Sequence, residues 1–159
     1  MNLNLLKKIK FSLNTLCLFS LLVISPLASY ANTGDWGMVQ RFTKQLELAK
    51  KGNVKAMYDT GKLYERGRGV DKNMGKAAGW FQKAADGGHA AAQGRLGILY
   101  FEGRGVKKNY KKVVRLLKLA AKANIASAQF QLANMYELGA AVSKNLPTAI
   151  SWYKKAEKN

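Results

Sequence analysis

Few side chains in this chain could carry out acid–base or metal chemistry. The sequence holds nine acidic residues, one histidine and one cysteine. General acid–base catalysis by His89 would need an orienting carboxylate and a nucleophile within hydrogen-bonding reach, and the surrounding sequence spacing offers neither. No set of residues has metal-ligand spacing, and no glycine-rich loop has the context of a phosphate-binding site. The sequence therefore predicts no catalytic residue, no metal site and no cofactor.

The other charged side chains are mostly basic. Lysine and arginine number 27 and the formal net charge is +18, which favours anionic partners. Part of this charge lies in one stretch where cations recur at spacings of three and four, as on one face of a helix. This basic stripe consists of Lys107, Lys108, Lys111, Arg115, Lys118 and Lys122. It suits an anionic envelope polymer or lipid surface; the alternative is a solvated face that aids solubility.

The first 31 residues have the order of a secretory signal peptide. A lysine-rich start precedes an apolar stretch at 11–27, and Ser29-Tyr30-Ala31 places small residues where a signal peptidase cleaves. We expect cleavage after Ala31 and a periplasmic or secreted protein, so nucleic acid is not an expected partner. The alternative is an uncleaved anchor in the inner membrane, because the apolar stretch approaches the ~18 residues that span a bilayer. Cys17 lies in this segment, so the processed chain would have no thiol.

The elements that position these side chains repeat every 36 residues. Equivalent positions hold the same residue in three successive units, as at Ala56, Ala92 and Ala128, or at Tyr64, Tyr100 and Tyr136. Glycine, valine, asparagine and a second alanine recur in the same way: Gly67, Gly103 and Gly139; Val70, Val106 and Val142; Asn73, Asn109 and Asn145; Ala84, Ala120 and Ala156. A fixed period of this length is typical of a solenoid of stacked helical units.

Each unit is predicted to be two helices joined by a glycine turn. In the first unit, Ala56, Thr60, Gly61 and Tyr64 lie at the spacing of one helix face. The turn at 67–70 ends that helix, because glycine readily adopts the left-handed conformation of a helix end. Asn73 is then the predicted N-cap of the second helix. That helix would bury Ala77, Trp80, Phe81 and Ala84 and end at Gly87-Gly88.

These residues resemble the Sel-one-like repeat family, a tetratricopeptide-like family with units of about 36 residues. The family pattern begins with Ala, Leu-Gly, Tyr and Gly-x-Gly-Val, and continues with Lys-Ala, Trp-Tyr and Lys-Ala-Ala. Repeat one matches it at Ala56, Gly61, Tyr64, Gly67, Gly69, Val70, Lys76, Ala77, Trp80, Phe81, Lys83, Ala84, Ala85 and Gly88. Repeat two keeps the pattern but has Leu116-Leu117 at the aromatic pair. Repeat three departs at Ala133, Ala140 and Ala141, so we expect its inter-helix turn to differ.

The predicted fold is all-α: an α/α solenoid, or right-handed superhelix, of three helix-turn-helix repeats with an N-terminal capping helix. Residues 1–31 form the signal peptide and 32–52 the capping helix, which covers the exposed apolar face of repeat one. The repeats occupy 53–88, 89–124 and 125–159.

The resemblance also implies a concave groove lined by the first helix of each repeat. The matching positions are Lys55, Tyr58, Lys62 and Arg66 in repeat one, Gly94, Ile98, Phe101 and Glu102 in repeat two, and Phe130, Asn134, Glu137 and Leu138 in repeat three. Alternatively, Phe101 and Phe130 pack between repeats. Glu65, Glu102 and Glu137 are expected to be isolated, exposed acids rather than a shared acidic site.

The mixed character of these positions suits a peptide or protein partner. The chain is therefore predicted to be a non-catalytic adaptor of the bacterial envelope or secreted fraction, of unspecified oligomeric state. It would bind another protein through the groove, or an anionic polymer or lipid through the basic stripe. The alternative is a cell-wall-related enzyme or enzyme inhibitor. Penicillin-interacting members of the family carry paired cysteines in each unit, which this chain lacks.

Overall fold

The computed structural model describes residues 36–159, which form helices and connecting turns only. The expected signal peptide, its cleavage site and Cys17 lie outside the described residues. In chain order the helices are α1 (Trp36–Lys50), α2 (Val54–Arg66), α3 (Met74–Asp86), α4 (Ala90–Glu102), α5 (Tyr110–Lys122), α6 (Ala126–Leu138) and α7 (Leu146–Glu157). The predicted all-α repeat fold is confirmed. Between residues 36 and 159, every helix is too short or too polar to cross a bilayer.

Each helix packs on the next one along the chain, so α2–α3, α4–α5 and α6–α7 are the helix pairs of the three repeats. The core has two clusters. The first joins repeat one to repeat two through residues such as Phe81 and Leu96, and the second joins repeat two to repeat three through Leu117 and Leu132. All four side chains are 2% exposed or less, so each junction between repeats has its own buried apolar cluster.

Asparagine side chains cap the second helix of every repeat, as predicted. Oδ1 of Asn73, Asn109 and Asn145 accepts a hydrogen bond from the backbone N–H three residues later, at 2.9, 3.0 and 2.9 Å. Each bond satisfies a donor that the first helical turn leaves without an intrahelical partner. Asn53 caps α2 in the same way, whereas α6 begins after Ile125 without a side-chain cap.

The turn between the two helices of a repeat keeps one backbone shape in all three units. Gly69 and Gly105 have φ of 68° and 72°, and a Cβ on either would overlap the backbone of Met38 or Met74. The expectation that the third turn differs is wrong for the backbone, because Ala141 has φ of 63° at the equivalent position. An alanine there adopts a conformation that usually selects glycine.

Helix α1 packs on α2 and covers the outer side of repeat one. The rings of Phe42 and Tyr64 meet edge to face with centroids 5.2 Å apart, and Val39 and Ala49 are buried. Gly69 lies against the backbone of Met38 on α1, as Gly105 lies against the backbone of Met74 on α3. Helix α1 is therefore placed relative to repeat one as α3 is placed relative to repeat two.

Candidate functional groove

The predicted groove residues lie at equivalent positions on α2, α4 and α6. We use "groove" for the surface formed by these positions, and divide it by chemistry. The basic section is Lys55, Lys62 and Arg66 on α2. The apolar section is Ile98, Phe101 and Leu138, between α4 and α6.

Tyr58 lies beside the basic section. Its ring stacks on the imidazole of His89 with centroids 4.4 Å apart, and the Lys62 ammonium lies 5.1 Å from the ring centroid. Burial raises the pKa of the Tyr58 hydroxyl, and the positive charge of Arg95 opposes that rise. Tyr58 is thus a half-buried wall of the groove.

His89 is part of the junction between repeats one and two. Its Nδ1 accepts a hydrogen bond from the backbone N–H of Ala92 at 3.3 Å, which makes it the N-cap of α4. The imidazole therefore has a structural role at this helix start.

An ion pair with a buried carboxylate and a partly exposed arginine lies between the two sections of the groove. Nε and Nη2 of Arg95 donate to the Glu65 carboxylate at 3.0, 3.1 and 2.6 Å, and the Glu65 side chain is only 6% exposed. The hydrogen bonds to Glu65 raise the pKa of Arg95. The expectation that Glu65 is an isolated, exposed acid is wrong. The sequence signal that was missed is the arginine on the facing helix.

The other two recurring acids also have partners. Glu102 accepts from Arg104 at 2.9 Å, and Glu137 Oε2 accepts from the Tyr153 hydroxyl at 2.6 Å. The hydrogen bond to Glu137 raises the pKa of Tyr153, whose oxygen also contacts Asn134 Oδ1. The three carboxylates are therefore held separately, without forming one acidic site.

The apolar section surrounds a cavity of about 180 Å³ between α4 and α6. Its walls include the three residues of the section together with Glu102, Leu117, Gln131, Asn134, Met135 and Ala140. Phe101 is 41% exposed and Leu138 is 76% exposed. Phe101 and Gln131 occupy the positions that Glu65 and Arg95 hold one repeat earlier. The junction between repeats two and three therefore has this cavity where the preceding junction has an ion pair.

Phe130 lies apart from this cavity. Its ring contacts Tyr153 of the same repeat with centroids 5.5 Å apart, and it remains 50% exposed. It borders a second cavity of about 410 Å³, beside Ser127 and Glu157. Phe101 likewise contacts a ring of its own repeat, that of Tyr110 at 6.0 Å. The aromatic contacts of both residues therefore lie within a repeat.

The basic stripe is exposed along α5 and in the turn before it. Its six side chains are Lys107, Lys108, Lys111, Arg115, Lys118 and Lys122, and none has a carboxylate of residues 36–159 within 4.0 Å. Lys112, outside the stripe, instead donates to the Tyr100 hydroxyl at 3.0 Å. Arg115 also borders a cleft of about 750 Å³ beside Asp86 of α3.

Metal binding has no support in the described part of the chain. Within residues 36–159, no three His, Cys, Asp or Glu side chains lie close enough to hold an ion.

Three consecutive segments of the chain match the family model described as Sel1 repeat, at residues 54–89, 90–125 and 126–159. The chain is similar to a Sel1 repeat protein from Oxalobacter formigenes, with 34% identity over 75% of this chain and a TM-score of 0.70. It is also similar to a protective antigen of uropathogenic Escherichia coli strains that has an SLR fold, with 32% identity over 76% of this chain and a TM-score of 0.72.

The chain spans 49% of the Oxalobacter protein and 26% of the Escherichia coli antigen. No curated protein matches it. Because the family model covers all three repeats, the chain belongs to the Sel1 repeat family.

Proposed function

We propose that this protein is a non-catalytic interaction module of the bacterial envelope or secreted fraction, which binds a partner protein through the groove. Sel1 repeat proteins generally mediate protein–protein interactions. The observation that carries the proposal is the apolar section, where Phe101 and Leu138 are exposed around a cavity. Exposed apolar side chains beside a pocket are typical anchor points for a partner. The envelope location rests on the sequence of residues 1–31.

The test compares two exposed apolar residues of α6 and α7. Leu138→Asp places a charge in the groove, and Ile150→Asp places the same charge on α7, where Ile150 is 53% exposed. Each protein is crosslinked in the native host and the captured partners are identified. We expect the Leu138 variant to lose partners that the Ile150 variant keeps, with both chains equally helical. Equal capture by both variants, or a loss confined to the Ile150 variant, would contradict the groove.

Export has its own test. Cell fractionation with N-terminal sequencing should find the protein outside the cytoplasm with Asn32 as its first residue. An intact N-terminus in the inner-membrane fraction would instead support the anchored alternative.

The basic stripe is a second candidate surface, favoured by the lack of carboxylate partners among residues 36–159. It would bind anionic lipid or polymer by charge alone, with an affinity that falls as salt rises. Lys111→Glu with Lys118→Glu should abolish sedimentation with phosphatidylglycerol vesicles. Unchanged sedimentation would exclude the stripe as the lipid-binding surface.

A further inference from the structure

The groove changes chemistry from repeat one to repeat three. At one set of equivalent positions the residues are Lys62, Ile98 and Asn134, and at another they are Arg66, Glu102 and Leu138. One end of the groove is therefore cationic, and the other is apolar with acids at its edge.

The basic section keeps an excess of positive charge. Lys62 has Asp59 at 3.6 Å, but Lys55 and Arg66 are exposed with no carboxylate of residues 36–159 within 4.0 Å. The buried carboxylate of Glu65 is committed to Arg95 by hydrogen bonds. Cations held on one helix in this way attract a carboxylate on a partner.

The apolar section favours the opposite kind of residue. Its cavity of about 180 Å³ is lined by Ile98, Phe101 and Leu138, which suits one bulky apolar side chain. Glu102 also lines this cavity, and its negative charge disfavours a carboxylate placed there. Acids on a bound segment are thus favoured over α2 and disfavoured at the cavity.

We propose that the groove binds an acidic–apolar segment of its partner protein, with two acidic residues over the basic section and one bulky apolar residue in the cavity. This inference rests on the proposed function. The basic section lies on α2 and the cavity lies between α4 and α6, so the bound segment must cross the ion pair of Glu65 and Arg95. Four residues of extended chain, which reach about 13 Å, set the spacing of the test peptide.

The experiment uses a fluorescent synthetic peptide with two Asp residues and, four positions later, a Phe, joined by Gly and Ser. Its binding to the full-length chain is measured by anisotropy. Replacing both Asp residues by Lys, or the Phe by Ala, should each weaken binding about tenfold. Binding should also weaken as salt increases. No measurable binding of the Asp peptide, or equal binding of the Lys peptide, overturns the inference.

Protein variants then locate the two contacts. Arg66→Glu should weaken the Asp peptide and strengthen the Lys peptide, whereas Lys154→Glu makes the same charge change on α7, outside the groove, and should leave both affinities unchanged. Leu138→Asp should remove the preference for Phe over Ala. If Arg66→Glu and Lys154→Glu act alike, the attraction is only to net charge and the inference fails.

The two proposals fail in different ways. If Leu138→Asp releases the native partner but the peptides show no preference for acid, the groove binds proteins of another chemistry and only this inference is lost. If Arg66→Glu and Leu138→Asp both still capture the native partner, the proposed function itself is wrong.

Discussion

Arg95 of repeat two binds Glu65 of repeat one through three hydrogen bonds, and the two side chains are exposed to very different degrees. The Glu65 side chain is 6% exposed and that of Arg95 is 42% exposed. Glu65 therefore depends on Arg95 to replace its lost hydration, whereas Arg95 still reaches water. The ion pair holds α2 against α4 at the point where the groove changes from basic to apolar.

Removing the arginine alone should destabilise the fold strongly. Arg95→Met keeps the aliphatic stem but leaves a buried carboxylate without its cation, so the free energy of unfolding should fall by about 2 kcal/mol. Urea unfolding followed by circular dichroism measures the loss. Arg104→Met is the control: it breaks an exposed pair with Glu102 and should change stability by less than about 0.5 kcal/mol.

The same junction allows a double replacement. Glu65→Phe with Arg95→Gln installs the residues that repeats two and three use at Phe101 and Gln131. Because both charges leave together, this variant should be more stable than Arg95→Met alone. A double variant no more stable than the single one would show that the unpaired charge is not the main cost.

Thr60 is a buried polar residue in an otherwise apolar position. It is 0% exposed, and its hydroxyl has no hydrogen-bond partner within residues 36–159. The equivalent residues are Leu96 and Leu132. Thr60→Val keeps the shape and removes the unsatisfied hydroxyl, so the free energy of unfolding should rise by about 1 kcal/mol.

The matched control for Thr60 is a threonine whose hydroxyl is satisfied. Thr43 Oγ1 donates to the backbone carbonyl of Val39 at 2.9 Å. Thr43→Val should therefore leave stability unchanged or lower it slightly. A rise of equal size in both variants would reflect a general effect of valine and would sink the explanation.

The features that the sequence predicts well are local. Asn73 caps a helix through a bond to a backbone group three residues away, and the turn at Gly69 depends on one φ angle. Both are set by short-range chemistry that recurs with the repeat period, so three copies make the pattern readable. The helix pairs, their caps and the glycine turns were predicted for this reason.

Contacts between repeats were predicted less well. Glu65 and Arg95 are 30 residues apart, and the equivalent residues Phe101 and Gln131 line a cavity instead of forming an ion pair. Such a pair has no recurring signature, because its partners change from one junction to the next. The contact of Tyr153 with Glu137 lies within repeat three, but it too has no recurring signature, because both positions vary among the repeats.

Gly61 should tolerate no side chain, despite lying in a helix. A Cβ at this position would stand 2.7 Å from two ring atoms of Phe81, which is 0% exposed. Overpacking in Gly61→Ala should cost about 1–3 kcal/mol. Because alanine brings about 1 kcal/mol to a helix interior, the free energy of unfolding should fall by up to about 2 kcal/mol.

Gly79 provides the opposite case on α3. It is exposed, and a Cβ there would meet nothing within 4 Å. Gly79→Ala should raise stability by about 0.5–1 kcal/mol through helix propensity alone. Thermal unfolding of the two variants should thus shift in opposite directions; a shift in the same direction would contradict the steric argument.

Alkaline pH should destabilise the first repeat. Burial raises the pKa of Tyr58 and Tyr64 above 10.0, so the folded chain keeps phenolic protons that the unfolded chain releases. The stabilisation is complete below about pH 10 and is lost as pH rises through the folded pKa values. The urea midpoint should fall between neutral pH and about pH 11, and this fall should be smaller in a Tyr58→Phe/Tyr64→Phe variant than in the parent protein. An equal fall in both proteins would assign the effect to other groups.

Ala141 should be improved by glycine. It holds φ of 63° where Gly69 and Gly105 hold 68° and 72°, a conformation that costs an alanine about 1 kcal/mol. Ala141→Gly removes this strain and should raise the free energy of unfolding by up to about 1 kcal/mol, less the added entropy of the unfolded chain. Ala140→Gly is the control, one residue earlier and without positive φ. It only increases the entropy of the unfolded chain, so it should be less stable than the parent protein. Opposite signs in chemical unfolding of the two variants would show that the backbone angle, rather than glycine itself, is responsible.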